Sequence, residues 1–171
     1  MGEDPYRAGL RAAPSRAAAS YAELLDGVGV DPERNFVSFA ESTASDLVTL
    51  VNIGFTSVCE HNLLPFVGRA HLAYLPGPDR LIAGWGELTR LVTGYAHRPQ
   101  IQERLTSQIA DSLQRLLQPA GVMVIVEAQH QCLSLVGERQ SDARVATMAA
   151  RGCYVDDSVA RSEVSNLLRS T

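Results

Sequence analysis

The chain has 171 residues, a net charge of −4, and only arginine among its basic side chains. A mild acidic balance without any basic run excludes a protein that tracks nucleic-acid phosphates, and no apolar stretch is long enough to span a bilayer. Gly2-Glu3-Asp4 directly after Met1 lacks the cationic and then apolar order of a secretion signal, and three cysteines make no disulfide framework, so a single-domain cytoplasmic protein with free thiols is expected.

In chain order, Pro14 to Leu25 carries strong helix formers with apolar positions at helical spacing, and Asp26-Gly27 ends it. A polar connection runs from Gly27 to Asn35. Leu47 to Val58 and Arg69 to Leu75 are β-branched and alternate, which predicts two strands, the second closed by the turn Pro76-Gly77-Pro78-Asp79. Glu87 to His97 and Gln100 to Gln118 predict helices separated at Pro99, and in the second Ile101, Leu105, Ile109, Leu113 and Leu116 share one face. Gly121 to Ala128 reads as a buried strand, and Gln131 to Val136 is expected to continue the sheet after a bend. The division is an N-terminal helical segment (1–45), a core (46–155) and a tail (156–171), forming one domain.

Two short motifs carry chemistry. Cys59-Glu60-His61-Asn62 and His130-Gln131-Cys132 together offer two thiols and two imidazoles, ligand types that zinc takes in tetrahedral geometry. Each motif alone reads equally well as small core cysteines beside satisfied histidines. Between them, Arg98-Pro99-Gln100-Ile101-Gln102-Glu103-Arg104-Leu105-Thr106 is a specific signature. With these residues in place, the chain from Gly2 to about Gly152 resembles the GTP cyclohydrolase I family.

The resemblance implies an α+β tunnelling fold: a four-stranded antiparallel sheet with two helices on one face and an N-terminal helix, assembling into a barrel-forming homo-oligomer, in this family a decamer, with sites at subunit junctions. It implies zinc, with Cys59 and Cys132 as ligands, and His61 and His130 as the proton-transfer pair. Glu103 would anchor a guanine- or pterin-type ring, Gln102 would add a polar contact, and Arg16 and Arg90 would meet a triphosphate. Arg139 and Arg144 are further candidates for the phosphate end. His71 and His97 lie outside the motifs and are expected to be ordinary core or surface residues.

Four positions depart from the family pattern. Asn62 stands where the third zinc ligand, a His, is usual, Gly86-Glu87 replaces a Ser-Lys pair, and Val136 replaces an Arg. The reading that follows is a divergent cyclohydrolase that hydrolyses or rearranges a C–N bond in a guanine-, azapurine- or pterin-type heterocycle without a triphosphate, in a specialised pathway. A catalytically silent purine-binding paralogue and an orthodox GTP cyclohydrolase I are the alternatives.

Overall fold

Residues 2–170 are described by a computed structural model. The elements run α1 (Ala13–Leu24), β1 (Ser38–Ala40), β2 (Val48–Cys59), β3 (Pro65–Leu75), β4 (Leu81–Ala83), α2 (Trp85–Ala96), β5 (Pro99–Gln100), α3 (Gln102–Leu117), β6 (Gly121–His130), α4 (Gln131–Ser134), β7 (Val145–Gly152), α5 (Cys153–Asp156) and α6 (Ser158–Ser170). Four long antiparallel strands lie in the order β2-β3-β6-β7, the two-residue β5 adds in parallel beside β2, and β1 and β4 form a separate ribbon. This is the expected tunnelling fold, with α2 and α3 on one face of the sheet.

β6 explains why its sequence does not alternate. It is a central strand covered on both faces: Val122, Val124, Val126 and Ala128 join the core under α2 and α3, while Met123 and Ile125 pack on the other side with Tyr154, Val164 and Leu168. A strand buried on both faces reads as a continuous apolar run rather than as an in–out alternation. On α3, Leu105, Ile109, Leu113 and Leu117 form the helix face that closes the first core.

Two local expectations are corrected. Gln131–Ser134 forms a short helix, and the strand that extends the sheet past β6 is Val145–Gly152. The helix expected from Gln100 begins at Gln102, because Pro99 and Gln100 pair with Val58 and Cys59 as a short strand. In the segment after Asp156, helix α6 (Ser158–Ser170) covers the second face through Val164 and Leu168. Gly152, at φ +61°, makes the turn into α5, and a Cβ there would lie 2.2 Å from the Ala120 carbonyl oxygen.

Candidate active site

The sequence motifs meet at one end of the sheet, where β2 and β6 finish and β3 and α3 begin. Residues at alternate strand positions share a face. Ser57, paired with Phe66, reaches the end of α2 through a 2.6 Å hydrogen bond to the Ala96 carbonyl, so Cys59, two residues on, also faces the helices. Phe66 in turn pairs with His130, and their rings stack with centroids 4.5 Å apart and planes 5° from parallel. Burial pushes the His130 imidazole below its ordinary pKa, while the negative charge of Glu103 opposes that shift.

The loop between β2 and β3 carries His61 and is tied from three sides. Leu63 N–H donates to the Cys59 carbonyl, the Tyr21 hydroxyl of α1 donates to the Leu63 carbonyl at 2.9 Å, and Glu60 forms an ion pair with Arg104 of α3. His61 is exposed, and its Nδ1 lies 3.7 Å from the buried Cys59 sulfur. Asn62 does not turn toward that sulfur: its side-chain oxygen accepts the Leu64 N–H at 3.1 Å, making a local turn with Leu63 in the left-handed region.

Cys59, His61, His130 and Cys132 are the donors the two motifs supply, yet among the described residues no three His, Cys, Asp or Glu side chains converge on a point that could hold a metal ion. An amide oxygen already spent on a backbone N–H is a poor substitute for imidazole. The described residues of this chain therefore do not assemble a three-donor zinc centre.

At the start of α3, Gln102 and Glu103 diverge. Glu103 is exposed in the first turn, where the helix dipole favours a carboxylate, and it has no hydrogen-bond or ion-pair partner among the described residues. Gln102 is 2% exposed: its side-chain nitrogen donates to the carbonyls of Val126 and Val145, and its side-chain oxygen lies 2.8 Å from His130 Nε2. Its amide is thus held within the chain and not presented to a cleft.

The candidate phosphate residues scatter. Arg16 lies exposed on α1, which buries none of its side chains, and reaches the Gly9 carbonyl at 3.5 Å. Arg90 of α2 is ion-paired with Glu87 one turn earlier. Val136 lies 48% exposed after α4, not in a strand, and Arg139 follows it in a left-handed turn. Arg144 lines a cleft with Val67 and Gln129, strand positions next to Phe66 and His130 that face the other side of the sheet. Of the two remaining histidines, His71 is buried, with its pKa lowered by burial against the opposing charge of Glu127, and His97 pairs with Asp26 at 2.7 Å.

A family model described as GTP cyclohydrolase I matches residues 1–169. The chain belongs to the GTP cyclohydrolase I family. It is 44% identical over 168 residues to GTP cyclohydrolase 1 of Desulforamulus reducens, covering 98% of this chain and 89% of that one. GTP cyclohydrolase 1 of Bacillus subtilis is 45% identical over 164 residues, covering 96% and 86%. Among solved structures, the apo archaeosine synthase QueF-Like aligns with a TM-score of 0.52 at 20% identity, covering 66% of this chain and 97% of that one, a likeness of fold alone. Membership of the GTP cyclohydrolase I family implies a hydrolase acting on a C–N bond in a heterocycle. No helix among the described residues is long and apolar enough to cross a membrane.

Sequence reasoning missed Tyr21 and Arg104 as anchors of the His61 loop. Arg104 stands inside the signature, but nothing in the linear pattern links it to Glu60, 44 residues earlier.

Proposed function

We propose that this member of the family acts on a guanine-, azapurine- or pterin-type ring without a triphosphate, hydrolysing or rearranging a C–N bond. The observation that carries the reading is the Glu87–Arg90 ion pair on α2, which sets a carboxylate against the cation that would meet a triphosphate. Loss of a cation at Val136 acts in the same direction. Glu103, exposed and unpaired, has two acceptor oxygens for the adjacent ring and exocyclic N–H groups of such a heterocycle.

Hydration of a cyclic amidine places hydroxyl on carbon and a proton on nitrogen, and scission of the C–N bond requires a proton on the departing nitrogen. His130 and His61 are the groups suited to these transfers, since imidazole changes charge near neutrality. A lowered pKa keeps His130 neutral, and thus able to accept a proton, at physiological pH. Cys59 and Cys132 would be the thiolate donors of a zinc ion. Without an imidazole from position 62, zinc affinity is expected to fall, and metal analysis of the purified protein measures it.

We further read the protein as a homo-oligomer, as the family resemblance implies: β7 leaves one sheet edge unpaired and β5 covers only two residues of β2, edges that a ring closes. Sedimentation showing a stable monomer would remove that reading. Mass-spectrometric turnover of GTP, guanosine, guanine analogues and dihydropterins tests the substrate class. Conversion of GTP to dihydroneopterin triphosphate as the preferred reaction would return the protein to the orthodox role, which its 44% identical relatives favour. No turnover, with ring binding intact, would make it a silent purine-binding paralogue.

A further inference from the structure

We propose that Gln102 is a positioning residue that holds His130 as its Nε2–H tautomer, leaving Nδ1 as the one ring nitrogen with a lone pair. The orientation of the Gln102 amide is forced. Its nitrogen lies 2.9 Å from the Val126 carbonyl oxygen, 2.9 Å from the Val145 carbonyl oxygen and 3.2 Å from Thr147 Oγ1. Carbonyls only accept, so the reversed amide would set an oxygen against two oxygens with no proton between them. The side-chain oxygen therefore faces His130 Nε2 at 2.8 Å, and an amide oxygen requires the proton to be on the histidine.

The surrounding hydroxyls are consistent with this assignment. Thr106 donates its single proton to the Gln102 backbone carbonyl at 2.7 Å, so the 2.6 Å contact between Thr106 and Thr147 must use the Thr147 proton. Thr147 Oγ1 is then left as an acceptor toward the Gln102 nitrogen. Phe66, stacked on the imidazole, fixes the ring plane, and rotating the ring by half a turn would put a carbon where Nε2 makes its bond. Gln102 is anchored to β6 and β7 at once, which makes the tautomer a property of the sheet rather than of the exposed loop.

For catalysis the inference rests on the reading of His130 as a proton-transfer group: any proton it accepts arrives at Nδ1, while Nε2–H stays with the amide. The tautomer itself is independent of that reading. Histidine labelled with 13C and 15N, observed by magic-angle-spinning NMR at about pH 8 where an imidazole is neutral, reads it directly, with His130 assigned by its loss in His130→Asn. The expected signals are a protonated Nε2 and an unprotonated Nδ1. Gln102→Leu should lose this single form and show both tautomers, whereas Thr147→Val, which keeps both carbonyl contacts, should retain it. A protonated Nδ1 in the parent protein would overturn the inference even if Gln102→Leu fails to fold, and an undisturbed Nε2–H in a folded Gln102→Leu would overturn it too. Absence of turnover on every ring tested would count against the proposed function and leave the tautomer result standing.

Discussion

Charge reversal at Glu87 isolates the feature on which the substrate reading depends. Glu87 lies in the first turn of α2 with its side chain 17% exposed, paired with an Arg90 whose side chain is 68% exposed. Glu87→Lys changes the local charge by two units. For a ligand phosphate about 4 Å away in a site this open to water, each unit contributes about 1 kcal/mol, so the reversal should improve triphosphate binding by about 2 kcal/mol, a factor of about 30 in Kd. The cost to folding is smaller: loss of a helical pair and of an acidic group at a helix N-terminus amounts to about 0.5–1 kcal/mol, or roughly 1–4 °C in Tm. Gly86→Ser is sterically compatible: a Cβ there would lie 3.3 Å from Arg90 Nη1, and the end of that exposed side chain can shift by the few tenths of an ångström required. Calorimetry with GTP and guanosine, repeated at low and high salt, measures the effect. GTP should gain affinity in Glu87→Lys, guanosine should not, and salt should shrink the gain because exposed charges are screened. Unchanged GTP affinity in a folded Glu87→Lys, together with tight GTP binding by the parent, would refute the reasoning.

Glu103→Gln should weaken binding of guanine-type rings by about 1–3 kcal/mol, because one acceptor becomes a donor facing a donor; equal affinities by calorimetry would remove Glu103 from ring recognition. Glu33 offers a pH test of stability. Burial alone would raise its pKa, but hydrogen bonds with Ser112, Arg115 and Tyr95 outweigh it and leave the carboxyl below its ordinary value of 4.5. A depressed carboxylate stabilises the fold above its unfolded pKa and loses that contribution as pH falls through the folded value. Denaturant midpoints of Glu33→Gln should therefore fall below those of the parent at neutral pH and converge with them as the pH drops below 4.5; a constant gap would contradict the assignment. Asn62→His should raise the zinc content of the purified protein, and Cys59→Ala in that background should abolish the gain, both read by elemental analysis without reference to activity.

The sequence by itself determined the family and the order of the main elements as far as β6, and it named the candidate residues of the site, because helix and strand periods are local and the Cys59, His61, Glu103, His130 and Cys132 motifs are contiguous or short. It also singled out Asn62, Glu87 and Val136 as the positions on which the proposed change of substrate rests. Tertiary structure decided how these side chains are used. Val145–Gly152 escaped the pattern because small alanines and the outward-facing Met148 give a weak strand signal, and its place was set by pairing with β6. Gln102, expected as a polar contact beside Glu103, is turned inward because adjacent residues on a helix point about 100° apart and only the packed sheet supplies the Val126 and Val145 carbonyls that capture it. The same holds for Glu87, whose effect on Arg90 depends on both lying on one face of α2, and for Glu60 and Arg104, 44 residues apart, which meet only when β2 and α3 pack. Residue identity sets which chemistry is available; the convergence of distant donors and acceptors sets which of it remains free.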